Sequence, residues 1–199
     1  MIDKIQNIRV LIELPTWLGD CIMATPAIEN IVNFYDDAQI TFIGSSVSIK
    51  AMKNYPKTVK TTVLSKKYSD LYKIPRRLGK FDVFFSFRGS IRSKFLIFLI
   101  SAKNKYQFDK NKYQNRHQVE KYNDFVGDSL NTSFSAKKLK LYFDGDNSLL
   151  AESKPLLGIN PGASYGSAKR WYPQEFAKVA SKLSHKYDIV IFGGPGETD

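Results

Sequence analysis

The chain has 199 residues, 43% of them hydrophobic and 14% aromatic, enough to bury a core without a disulfide or a metal. That composition excludes wholesale disorder and collagen-like or coiled-coil fibres, and the lone cysteine, Cys21, excludes an intramolecular disulfide framework. Lys and Arg number 30 against 19 Asp and Glu, a net charge of +11 that calls for an anionic partner: nucleic acid, an anionic membrane surface or a phosphate-bearing substrate.

Read in chain order, short apolar runs alternate with longer mixed segments. Residues 8–12 (Ile-Arg-Val-Leu-Ile) predict a buried strand, and Glu13, which closes it, argues against a secretory signal peptide. Residues 21–34 have helical spacing. Residues 39–43 predict a second strand closed by Gly44, 46–54 a short helix and 59–64 an alternating strand. A basic helix follows over 68–78, a buried strand over 82–87, a helix over 90–99, a short strand over 106–108 and a helix over 119–130. The densest apolar run, 95–100, is far too short to span a membrane. Strand and helix alternating at this spacing predict βαβ units, right-handed crossovers and an α/β fold with a parallel sheet.

Residues 131–153 are polar and carry the turn signal Asp144-Gly145-Asp146-Asn147, so they read as a connection between domains covering residues 1–150 and 151–199. The βα grammar then restarts with a strand at 156–160, a long loop at 161–171, a helix at 173–183 with Pro173 in its first turn, and a strand at 189–192. Either the last two strands join the first sheet or they open a second sheet that this chain leaves incomplete; the second is the expectation.

Three segments carry the chemistry. In the first, Thr16, Trp17, Gly19 and Asp20 follow the first strand, where open α/β sheets bind ligands. Asp20 suits a general base, and equally a helix cap. In the second, Arg88, Ser90, Arg92, Ser93 and Lys94 open a helix with hydroxyls and cations, a set suited to phosphate or carboxylate, or simply to a capped helix with a solvated basic start. In the third, Gly162, Ser164, Ser167, Lys169 and Arg170 lie on the loop before the 173–183 helix. This is not a Walker A order, yet its cations and hydroxyls could clamp a diphosphate. His117 and His185 lack metal-ligand spacing, and no metal is expected.

The Trp17-Leu18-Gly19-Asp20 run after strand one and the run Pro161-Gly162-Ala163 through Lys169-Arg170-Trp171 resemble the ADP-heptose–lipopolysaccharide heptosyltransferases of glycosyltransferase family 9, nearest to their heptosyltransferase II members. Val119-Glu120-Lys121-Tyr122 and Phe192-Gly193-Gly194 also look like that family. The resemblance implies a glycosyltransferase B (GT-B) fold of two Rossmann-like domains. The first, residues 1–150, would bind the acceptor through Thr16, Trp17, Gly19, Arg88, Ser90, Arg92, Ser93 and Lys94. The second, begun at 151–199, would bind ADP-L-glycero-D-manno-heptose through Gly162, Ser164, Ser167, Lys169 and Arg170. Asp20 is then the general base, and Lys169 neutralises the departing diphosphate of an inverting transfer to the inner-core heptose of lipopolysaccharide. No cofactor is implied beyond the sugar donor. A monomer is expected at the cytoplasmic face of the inner membrane, peripheral to its anionic surface. Members of the family are longer, so a C-terminally truncated chain is expected to bind donor weakly and turn over poorly.

Two other classes stay open on the residues alone. The Lys/Tyr mixture at 103–116, with Tyr106, Phe108 and Tyr113 among cations, suits base stacking in a nucleic-acid-binding module. A non-catalytic binder of acidic glycans would keep the basic loops without needing Asp20.

Overall fold

A computed structural model describes residues 7–65, 67–145, 154–163 and 167–194. The chain divides into two units, 1–144 and 145–199. In the first, β1 (Arg9–Glu13), β2 (Gln39–Gly44), β3 (Thr58–Val63), β4 (Lys80–Ser86) and β5 (Ser101–Gln107) form one parallel sheet in the order β3-β2-β1-β4-β5. Strands buried on both faces carry continuous apolar runs rather than strict alternation, and β1 (Val10-Leu11-Ile12) and β4 (Val83-Phe84-Phe85) do, while β2 keeps four of its six residues apolar or glycine around a buried Thr41.

Side-chain alternation along β1 divides the core in two. Val10, Ile12 and Leu14 face one layer with Ile28, Ile31, Phe42, Phe85 and Phe125. Leu11 faces the other, with Ile43, Leu71, Ile74, Phe84, Leu96 and Ile100. The first face is covered by α1 (Leu18–Met23), α2 (Thr25–Phe34), α3 (Ser46–Met52) and α6 (Gln118–Leu130), and the second by α4 (Tyr68–Leu78) and α5 (Ile91–Leu99). Right-handed crossovers require that split once the strand order reverses at β1.

Local chemistry sets the helix starts. Ser45 caps α3 by accepting from the Ser48 N–H at 3.3 Å, and Ser90 caps α5 by accepting from the Ser93 N–H at 3.2 Å. His117 and Glu120 form a reciprocal capping box on α6, which gives His117 a structural task. The single helix expected over 21–34 is in fact two. Pro26, in the first turn of α2, lacks an N–H, and the Ile22 carbonyl instead accepts the Thr25 hydroxyl at 2.7 Å.

The strand expected at 106–108 is the tail of a longer one. Four of its first five residues are polar because β5 is the sheet edge, where exposed lysines discourage further pairing. The polar stretch expected to be a plain connection is tied down along its first half. The Asn123 amide donates to the Phe134 carbonyl at 2.5 Å, and the Lys140 N–H donates to the Thr25 hydroxyl at 3.1 Å. The Tyr142 hydroxyl donates to Glu29 at 2.9 Å. Residues 146–153 lie outside the described residues.

In the second unit, β6 (Leu156–Ile159) and β7 (Asp188–Ile191) pair in parallel with each other and not with the first sheet, and α7 (Pro173–Leu183) connects them. Within the long loop, residues Ser167–Lys169 form one 3-10 turn.

Candidate active site

In an open parallel sheet the ligand crevice lies beyond the carboxyl ends of the strands, where the order reverses. Here that point is between β1 and β4, whose last paired residues are Glu13 and Ser86. Glu13 is 1% exposed. Its Oε2 accepts from the Ser86 hydroxyl at 2.5 Å, and its Oε1 accepts from the Ser93 hydroxyl at 2.9 Å and from Arg88 Nη1 at 3.4 Å. Burial pushes the Glu13 carboxyl above its ordinary range, while the Ser86 bond, the Arg88 charge and the Ser93 bond pull it back.

The same groups fix the loop after β4. The Arg88 N–H donates to the Ser86 hydroxyl at 3.4 Å, and the Gln107 amide donates to the Arg88 carbonyl at 3.0 Å. Arg88 is therefore held at backbone and side chain, with its guanidinium partly open to solvent at the crevice. Ser93, expected to face ligand, is fully buried with its hydroxyl on Glu13, so it braces the site from behind. Ser90 is engaged as the α5 cap. Arg92 donates to the Ser65 and Lys67 carbonyls at 2.5 and 3.2 Å and lies over the Tyr68 ring, so it ties α5 to the start of α4. Lys94 is exposed on α5.

On the other side of β1, the loop carrying Thr16 and Trp17 is pinned from α3. The Ser48 hydroxyl donates to the Pro15 carbonyl at 2.6 Å, and the Ser45 hydroxyl to the Thr16 carbonyl at 2.9 Å. Trp17, not Asp20, occupies the cap position of α1, and it makes no side-chain cap bond. Asp20 is the third residue of that helix, partly exposed, and its charge reaches the buried Tyr122 hydroxyl, which it and burial push upward. Among the described residues, none forms a hydrogen bond or ion pair with the Asp20 carboxylate. Burial pushes the neighbouring Cys21 thiol up to about 11, which leaves it inert as a nucleophile near neutral pH.

A Cβ added at Gly19 would meet nothing within 4 Å. The fold does not require glycine there. Gly19→Ala is therefore expected to leave the melting temperature unchanged, and a raised acceptor KM in the same variant would place the acceptor against that backbone.

In the second unit, Gly162 is described, whereas Ser164 and the Ser167 side chain lie outside the described residues. Arg170 closes its own loop, its Nε and Nη2 donating to the Ala163 carbonyl at 3.1 and 2.7 Å. That task differs from the diphosphate contact expected of it. Lys169 is exposed in the 3-10 turn and, among the described residues, has no acidic partner. Trp171 packs edge-on against Phe176 of α7 at 5.2 Å, which seats the loop on its helix.

The aromatic residues that suggested base stacking are spent in the core. Phe108 and Tyr113 stack on each other at 5.9 Å, and both are buried among Tyr122 and Phe125. That removes the stacking platform a nucleic-acid module would use. Glu13 and Ser86 did not stand out in the sequence as site residues. The available signal was a carboxylate ending a strand that should be apolar on both faces.

Comparison with known proteins gives a consistent result. The sequence pattern of glycosyltransferase family 9 (heptosyltransferase) matches residues 72–199. Lipooligosaccharide heptosyltransferase 2 of Campylobacter jejuni is 43% identical over 190 residues, which covers 93% of this chain and 59% of that protein. The chain thus spans about three-fifths of the length of the curated relatives it matches. Among solved structures, the family 9 glycosyl transferase from Veillonella parvula superposes with a TM-score of 0.81 at 22% identity, covering 98% of this chain and 65% of that one. The Escherichia coli ADP-heptose LPS heptosyltransferase II superposes with a TM-score of 0.71 at 18% identity, covering 95% and 65%. At those identities the two structures establish the fold alone, α/β with a parallel sheet of the GT-B type.

Proposed function

Because the chain belongs to glycosyltransferase family 9, we propose that it transfers L-glycero-D-manno-heptose from ADP-heptose to an inner-core heptose of lipooligosaccharide or lipopolysaccharide. Asp20 takes the proton from the acceptor hydroxyl as its oxygen attacks the anomeric carbon. The bond from that carbon to the diphosphate breaks, ADP departs on the opposite face, and the anomeric centre inverts. Lys169 stabilises the charge that grows on the diphosphate, with Gly162, Ser164 and Ser167 on the same loop as donor contacts. No metal or other cofactor is invoked. Arg88, braced by Glu13, presents a fixed cation to acidic groups of the acceptor, with Thr16, Trp17 and Lys94 as further acceptor contacts. The protein works as a monomer at the cytoplasmic face of the inner membrane, held there by its excess of positive charge.

One observation supports this reading above the rest. Asp20 lies in the first turn of α1, just past the crevice loop after β1, with its carboxylate unclaimed by any described residue, whereas Glu13 at the end of β1 is fully engaged. The test is incubation of the full-length protein with ADP-heptose and heptose-terminated core, following ADP release and the anomeric configuration of the product. Absence of ADP release, or retention of configuration, overturns the reading. Lys169→Ala is expected to lower kcat/KM for donor by about 10–100-fold, as loss of one charge-assisted contact to phosphate implies.

A further inference from the structure

Of the two helices on the second face of the sheet, α5 is apolar on both sides, and α4 adds two outward tyrosines to a basic outer face. Inward, Leu71, Ile74, Leu78 and Leu96 complete the core. Outward, Ile91 is 87% exposed, Phe98 79%, Tyr68 76%, Tyr72 51% and Phe95 40%. Single exposed apolar residues are ordinary, but these are contiguous. Ile91, Phe95 and Phe98 recur at the spacing of one helical stripe. The Phe95 ring meets Tyr72 of α4 edge-on at 5.6 Å, and the Arg92 guanidinium lies over Tyr68 at 5.7 Å. A helix apolar on both faces is expected to be covered on both.

The charge around the stripe indicates what covers it. Lys73, Arg76 and Arg77 on α4 and Arg92 and Lys94 on α5 are accompanied, within those two helices, by one carboxylate, Asp70. We propose that the outer face of α4 and α5 is a docking surface for an anionic phospholipid bilayer. Aromatic rings and Ile91 enter the headgroup region while lysine and arginine meet lipid phosphates. Among the described residues no helix is long and apolar enough to cross a membrane, so contact is in the interfacial plane. Both helices begin at the carboxyl end of the sheet, where the crevice lies, and Ile91 directly follows the α5 cap Ser90. Docking there brings the crevice to the level of lipid headgroups, where a lipid-anchored core sugar is presented. This deepens the membrane-peripheral part of the proposed function and rests on it.

The test uses the full-length protein and sedimentation with vesicles of phosphatidylglycerol and phosphatidylcholine, or of phosphatidylcholine alone. The wild type is expected to bind the anionic vesicles only. The double variant Ile91→Ser/Phe98→Ser, whose side chains support no core contact, is expected to bind them at least about tenfold more weakly. It should retain transfer to delipidated core and lose transfer to vesicle-embedded acceptor. Val47→Ser on α3, across the sheet, should bind like the wild type. If the double variant sediments like the wild type, this face is overturned and the membrane-peripheral reading stands. If the wild type binds no vesicle, both fall, while transfer to delipidated core still decides the enzymatic reading separately. A concentration-dependent dimer that is lost in the double variant, without vesicle binding, makes the face a self-interface and overturns the proposal.

Discussion

Replacing Asp20 by asparagine is expected to lower kcat for heptose transfer by about 10²–10⁴-fold, the range a positioned general base contributes. That corresponds to about 3–5 kcal/mol of transition-state stabilisation. The melting temperature should barely move, because the carboxylate forms no hydrogen bond or ion pair with any described residue. Loss of a charge from the first turn of a helix costs at most about 1 kcal/mol. Donor and acceptor KM should stay near wild type, since asparagine keeps the shape while removing the charge and the basicity that proton abstraction needs. The contrast is Ser90→Ala, which removes a true cap from α5 and is expected to cost about 1 kcal/mol of stability. An Asp20→Asn protein with full activity would leave this carboxylate as a surface charge on a short helix, and the base would have to be sought elsewhere in the crevice.

The parallel sheet was legible because its central strands are centred on short apolar runs, and the β1 crevice loop because a conspicuous Trp-Leu-Gly-Asp follows such a run. What escaped was everything decided by distant residues. Glu13 reads locally as the polar end of a strand. It is buried because Ser86, 73 residues away, and Ser93, 80 residues away, supply its donors. Ser93 sits in a run of cations and so resembles a ligand-facing hydroxyl. A residue in the first turn of α5 with its side chain on the sheet side points to Glu13 instead. Phe108 and Tyr113 alternate with lysines as a stacking platform would, yet they complete the core beneath α6. The break before α2 was visible in Pro26, but a continuous hydrophobic period masks a proline when periodicity alone is followed. Arg170 shows the same limit at short range: composition marks a basic loop, and only geometry shows that its guanidinium is turned back on Ala163.

The second large effect is expected at Glu13. Glu13→Ala leaves the Ser86 and Ser93 hydroxyls without their acceptor and Arg88 without its partner, a loss of about 2–5 kcal/mol for a broken buried network. For a chain of this length that lowers the melting temperature by about 5–15 °C. Glu13→Gln separates charge from shape. Burial places the folded carboxyl above its unfolded value of 4.5, so the folded state binds more protons than the unfolded chain between those two values. Stability from this group is therefore fully present below 4.5 and is lost as pH rises through the folded value. Glutamine cannot titrate, so the gap between wild type and Glu13→Gln must shift in favour of the variant as pH rises across that window. Thermal melts of both proteins from acid to neutral pH measure it. A shift in favour of the wild type would mean that Arg88 and the two serines outweigh burial and hold the carboxylate charged. Either way, if Glu13 also sets Arg88 for the acceptor, Glu13→Gln raises acceptor KM with kcat near wild type. A purely structural brace would change only the melting temperature.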